Sequence, residues 1–213
     1  MKKKLATLAV LALAVVAFSQ ETRFGLRYGL DMSFLDRDGQ HSSTKADTNG
    51  LAGFHFGIVA DMCGDLFCFQ PGFMFRQRGG EFVIDGGSWT EKTTTKMWYL
   101  EWPVMFSLRV PFGEIAALKI SAGPYLALGL FGGVEKEYKS NTLGNKESFE
   151  KTFTKNYFNR FDAGVNLGSG IDVQAFYIGI SYSLGVIDIS QKSSKDMKKA
   201  YNRALGVTLD YYL

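Results

Sequence analysis

Between residues 24 and 34 the chain alternates without a break. Phe24, Leu26, Tyr28, Leu30, Met32 and Phe34 are apolar or aromatic, and Gly25, Arg27, Gly29, Asp31 and Ser33 separate them. A period of two belongs to a β-strand with one apolar face. The pattern returns at about 54–62, 67–76, 98–110, 118–130, 160–171, 176–186 and 201–213, giving eight segments. Of the 49 positions on the apolar phase, 47 are apolar, proline or tyrosine; Ser169 and Arg203 are the exceptions and none is glycine. The opposite phase holds twelve glycines and nearly all the charges of these segments.

That asymmetry decides which face is inside. A closed eight-stranded barrel has an interior just wide enough for side chains to fill. The mostly large groups of the apolar phase do not fit there, whereas glycine, serine and a few polar groups do. The apolar phase must then point outward, where water would penalise so large a patch and lipid would not. A soluble lipocalin-like carrier needs the opposite assignment. The expected fold is all-β: an eight-stranded antiparallel up-and-down transmembrane β-barrel. Closing the sheet also satisfies every backbone group in hydrocarbon.

The connections agree. Long links at 35–53, 77–97, 131–159 and 187–200 alternate with short ones at 63–66, 111–117 and 172–175. Outer-membrane barrels pair long extracellular loops with short periplasmic turns, so four loops are expected outside the cell and both ends of the chain in the periplasm. Pro71 and Pro124 interrupt two segments and suggest bulges. Phe34, Phe54, Phe75, Trp98 and Tyr201 fall toward the loops and Phe24, Phe67, Phe176 and Tyr211 toward the turns, as two interfacial girdles would.

The N-terminus carries an export address. Met1–Lys4 is basic, Leu5–Phe18 is uncharged and apolar, and Ala17 and Ser19 are small residues at −3 and −1 of a cleavage after Ser19. Residues 1–19 are expected to be a cleaved signal peptide and 20–213 the barrel domain. Removing 1–19 takes three of the 24 basic residues and none of the 21 acidic ones, leaving 21 against 21. A neutral chain offers no basic footprint for nucleic acid.

Three segments resemble a known family. Tyr99-Leu100-Glu101-Trp102-Pro103 resembles the YLE-x-P signature of the PorT-like outer-membrane β-barrel family. Gly123-Pro124-Tyr125-Leu126 with Leu128-Gly129 resembles its fifth strand, and Arg160-Phe161-Asp162 with Gly164, Asn166, Gly168 and Gly170 its sixth. The resemblance implies a small barrel in the outer membrane of a diderm bacterium, without a biochemical activity. One namesake member is linked to protein secretion across the outer membrane, which makes a narrow pore or secretion accessory the alternative to a structural or interaction role. The last segment ends Asp210-Tyr211-Tyr212-Leu213 and resembles the strand recognised by barrel assembly machinery, with Leu213 in place of the usual Phe. Expected partners are outer-membrane lipid, that machinery during biogenesis, and an extracellular or secretion-system protein.

The inward phase carries Arg27, Asp31, His55, Asp61, Arg76, Arg78, Glu101, Arg109, Lys119, Arg160, Asp162 and Asp210. Buried charges must pair or cost several kcal/mol each, so these are expected to form a polar network that fills a narrow lumen. Glu101 is expected to pair with Arg76, Arg78 or Arg160. Catalysis is not expected: His41 lies in a loop beside Ser42, Ser43 and Asp47, and His55 is the only other histidine. Two histidines and two cysteines give no zinc-like spacing, and no cofactor is expected. Cys63 and Cys68 flank the first short turn on the inward phase and are expected to form a cross-strand disulfide in an oxidising periplasm.

Overall fold

The computed structural model describes residues 21–38, 46–87, 89–140, 146–153, 158–190 and 199–213. The export segment 1–19 and His41, Ser42 and Ser43 lie outside these residues. Ten strands follow in order: β1 Glu21–Asp38, β2 Ala46–Asn49, β3 Leu51–Cys63, β4 Phe67–Asp85, β5 Trp89–Phe112, β6 Ala116–Ser140, β7 Lys146–Lys151, β8 Phe161–Val173, β9 Phe176–Gly185 and β10 Lys199–Tyr212. Eight of them close a ring, β1-β3-β4-β5-β6-β8-β9-β10, with every neighbour antiparallel. The ring shuts where Gly25 of β1 pairs with Tyr212 of β10.

Residues of the apolar phase face outward. Leu30 is 72% exposed, Ile180 60% and Phe24 63%, while Asp31, Arg78, Glu101 and Asp210 on the other phase are almost wholly buried. Glycine makes this interior habitable at specific places. A Cβ on Gly29 would run into the His55 ring, and one on Gly206 into the Asp31 carboxylate. Arg203, one of the two exceptions on the apolar phase, lies at the loop end of β10, and its Nη2 is 2.6 Å from Asp36 on β1.

The strands outrun the apolar segments. The stretch 77–97, expected as a loop, is a hairpin paired from Gln77↔Trp98 to Asp85↔Thr90. β6 likewise continues to Ser140 and carries β7 on its free edge, and β2 pairs with the end of β4. Five strands, β2-β4-β5-β6-β7, therefore form a sheet standing above the barrel. Thr90, Thr93, Thr94 and Thr95 favour extended backbone by β-branching, yet they present no apolar face for a period-two reading to detect. Lys92 and Glu81 pair across this hairpin at 2.7 Å.

Neither proline makes a bulge. Val59↔Gly72 and Met62↔Phe69 keep one register around Pro71, and Pro103↔Tyr125 and Phe106↔Ala122 keep one register around Pro124. Each ladder skips two pairs there and resumes in step: a missing N–H removes hydrogen bonds without inserting a residue. The register shift falls instead between Trp98 and Tyr99, opposite Leu130. Beyond it the inward positions of β6 change parity, which brings Val134 inside at 2% exposure.

Candidate functional site

The interior is a ladder of charge pairs rising from the turn end. At the bottom Asp61 and Asp172 share three cations. Lys119 Nζ is 2.7 Å from Asp61 and Arg23 Nη2 is 2.9 Å from it. Arg23 also reaches Asp172 at 2.7 Å, and Arg109 approaches Asp172 at 3.5 Å. One layer up, Arg27 grips both oxygens of Asp210 at 2.7 and 2.6 Å and donates to Gln70 at 2.7 Å. Such two-point guanidinium–carboxylate pairs are the strong, oriented kind.

The middle layer is centred on Arg76 and Glu101. Arg76 Nε is 2.9 Å from Asp31 and its Nη1 is 3.1 Å from Glu101. Arg78 Nη2 is 2.6 Å from the other Glu101 oxygen, and Asn166 Nδ2 donates to Glu101 at 3.2 Å. Glu101 thus lies beside two of the three arginines expected for it. Above it the Arg78 guanidinium sits 4.6 Å from the Tyr125 ring centre, and Asp162 accepts from Asn202 at 2.9 Å and Tyr125 at 3.3 Å. Six cations (Arg23, Arg27, Arg76, Arg78, Arg109, Lys119) face six carboxylates (Asp31, Asp61, Glu101, Asp162, Asp172, Asp210). Balance of this sort keeps buried charge tolerable.

Arg160 is a correction. It is exposed at the loop-end rim, where its Nη1 donates to the carbonyls of Gly129 and Leu130 at 2.9 and 2.7 Å. Its parity matches Asp162, but it precedes β8, and alternation carries no meaning before the strand begins. Arg23 and Asp172 are the reverse case. They were not on the expected list, though parity with Arg27 and Gly170 puts both on the inward phase.

Toward the top the lining turns mainly apolar, with Ser33 and Asn202 buried among it. Leu35, Met97, Tyr99, Tyr125, Val134 and Ala200 line the upper lumen, and Phe158 and Ile189 from the connecting segments drop onto them. Both are buried, and backbone bonds tie them down: Asn159 N to Ile189 O at 2.8 Å and Ile189 N to Ala200 O at 2.9 Å.

Two arrangements invite a chemical reading. His55 Nδ1 lies 2.9 Å from Asp31 and its Nε2 lies 3.2 Å from Thr208 Oγ1, a carboxylate–imidazole–hydroxyl chain. The cavity beside it, lined by Arg27, Gln70, Arg76 and Glu101, measures about 50 Å³, which is room for water and not for a substrate. At the turn end, Cys63 and Cys68 face one another across the β3–β4 hairpin and are joined by a disulfide. Asp61 lies beside them, with its carboxylate and the two sulfurs within 4.8 Å. With the sulfurs bonded to each other and Asp61 engaged by Lys119 and Arg23, this trio offers no thiolate to a metal.

A protein-family comparison agrees with the architecture. The family model described as outer membrane protein beta-barrel domain matches residues 18–191. No curated protein sequence matches. Similar solved structures include Neisserial surface protein A, at 10% identity and a TM-score of 0.47, covering 91% of this chain and 100% of that one. OprG from Pseudomonas aeruginosa is similar at 14% identity and a TM-score of 0.42, covering 92% of this chain and 97% of that one. Ail of Yersinia pestis is similar at 12% identity and a TM-score of 0.42, covering 91% and 100%.

Proposed function

This chain belongs to the outer membrane protein β-barrel family, and on that premise we propose that it is a sealed barrel with a structural or interaction role rather than a conduit or an enzyme. The family places it in the outer membrane of a Gram-negative bacterium. The observation that carries the proposal is the lumen: six cations and six carboxylates interlock below an apolar lid of Leu35, Phe158 and Ile189, around a cavity of about 50 Å³. A hydrated ion crossing it would have to break several charge-assisted pairs in sequence. The loop end with its raised sheet faces the cell exterior in this reading, and the turns face the periplasm after removal of residues 1–19. Barrel assembly machinery acts on the chain during biogenesis, and the raised sheet is the surface for an extracellular or secretion-system partner. Within the family we assign the chain to the PorT-like branch on the resemblance of its Tyr99–Pro103 stretch, whose Glu101 joins Arg76 and Arg78.

Two measurements test this. The folded protein should migrate differently on a denaturing gel before and after boiling, as membrane barrels do. In planar bilayers the wild type should show no conductance steps, whereas replacing Ile189 and Phe158 by Asp should produce flickering openings at most. Regular wild-type steps would overturn the sealed barrel in favour of a narrow pore.

A further inference from the structure

A cleft on the outer wall joins the loop-end aromatic girdle to a group of cations. It measures about 530 Å³, within the range of small-molecule sites. Trp98, Phe131, Phe149 and Phe153 form its apolar side; Lys96, Lys151 and Arg160 border it with a single carboxylate, Glu135. Trp98 belongs to the lipid-facing girdle, stacked on Phe75 at 4.9 Å and edge-on to Phe54 at 5.1 Å. Aromatic rings in such a girdle mark the boundary between hydrocarbon and headgroups.

The cations are set for an incoming anion. Arg160 is held by the Gly129 and Leu130 carbonyls through Nη1 and lies 5.4 Å from the Phe153 ring centre. Its Nε and Nη2 have no partner among the described residues, and neither has the Lys151 ammonium. Lys96 meets Glu135 only at 3.6 Å with both half exposed, a pairing weak enough to be exchanged. A preset guanidinium and two ammonium groups over aromatic walls, at headgroup depth, match a phosphate carried on acyl chains. A free anion would need the cations but not Trp98 and Phe131.

We propose that this cleft is a binding site for a phosphate-bearing lipid of the leaflet at the loop end, its phosphate between Lys96, Lys151 and Arg160 and its chain along Trp98 and Phe131. The proposal rests on the barrel being inserted with that girdle at the membrane surface, but not on the lumen being sealed.

The test uses the full barrel in phosphatidylcholine vesicles, with Trp89→Phe and Trp102→Phe leaving Trp98 as the reporter. Brominated phosphatidic acid and brominated phosphatidylcholine are added in parallel series, and quenching of Trp98 is read. Brominated phosphatidic acid should act at a mole fraction about ten-fold lower, and Lys151→Ala should cut that preference about five-fold, the weight of one basic residue at an anionic surface. Equal quenching by the two lipids would overturn the site, as would a preference unaffected by Lys151→Ala in protein that remains heat-modifiable. Loss of the preference in a few millimolar inorganic phosphate would overturn the lipid in favour of a free anion. Failure of the barrel to insert into the vesicles shows itself separately, by loss of heat-modifiability, and would refute the membrane reading itself.

Discussion

Glu101→Gln is the sharpest probe of how the interior is held. Glu101 is fully buried and meets Arg76 at 3.1 Å, Arg78 at 2.6 Å and the Asn166 amide at 3.2 Å. Glutamine keeps the shape but removes the charge and turns an amide donor toward a guanidinium. Arg76 still has Asp31. Arg78 recovers little: its Nε and Nη1 already lack an acceptor among the described residues, and what remains is the Tyr125 ring at 4.6 Å and the charge of Asp162 nearby, which accepts no hydrogen bond from it. Stranding a buried charge in this way costs roughly 3–5 kcal/mol. The cost should be asymmetric. Arg78→Met leaves Glu101 paired with Arg76 and Asn166, so it should be the milder change, and in the double variant the stranded cation is absent. A coupling of about 2 kcal/mol or more is expected from the cycle, within the range for contacting residues. Urea unfolding from short-chain phosphatidylcholine vesicles, followed by Trp fluorescence and by the gel shift on boiling, measures it. A Glu101→Gln variant within about 0.5 kcal/mol of wild type, the size of an ordinary surface change, would mean that water screens these charges and that the lumen is open.

Gly29→Ala should destabilise by about 1–3 kcal/mol, the usual size of an overpacking penalty, because its Cβ meets both the His55 ring and the backbone carbonyl of Val207; His55→Ala in the same chain should relieve only the side-chain part of the loss in the same unfolding assay. Cys63→Ser with Cys68→Ser should abolish the mobility change on reduction and cost at most about 2 kcal/mol, since a disulfide across so short a loop removes little chain entropy. Asp188, in the segment after β9, is partly buried, which raises its pKa, but the Ala200 and Ser190 amides donating to it at 3.0 and 2.9 Å outweigh this and hold it below the usual carboxylate value. A depressed folded-state pKa gives stability that is present above the ordinary value near 4 and lost as pH falls through the folded-state pKa. Protection of the Ala200 amide, taken relative to free-amide exchange at the same pH, should accordingly fall on acidification below about pH 4, and Asp188→Asn should remove that pH dependence.

Lipid-facing surface is what made the barrel legible. Alternation at Phe24–Phe34 or Phe176–Val186 has one cause, a strand with hydrocarbon on one side, and nothing else in the chain produces it. Charges on the opposite phase, such as Asp31 and Asp210, followed from the same periodicity. Features governed by other physics escaped. The raised hairpin that includes Thr90–Thr95 stands beyond the barrel ring, and its threonines carry no apolar stripe. Val134 fell in the stretch 131–159 expected as a loop, and carrying the alternation past 130 would have put it on the wrong face, since the extra residue opposite the Trp98–Tyr99 step exchanges the faces after it. Phe158 and Ile189 lie in connecting segments, where no period links a residue to the cavity it fills. Arg23 and Asp172 were lost only to strand ends drawn one or two residues short.

The pairing of Gly25 with Tyr212 has a kinetic side. Every other contact in the ring joins strands that follow one another, with at most a short edge strand between them, so seven hairpin-like steps close small loops. The eighth must bring together segments separated by nearly the whole described chain, and non-local pairings of this kind are the slow ones. Until it forms, β1 and β10 are two open edges, ready to pair with any other chain. An unclosed sheet of this composition, apolar on one face, is the species most prone to aggregate. Catalysis of that last zippering step, rather than of hairpin formation, is where an assembly factor would shorten the chain's exposure most.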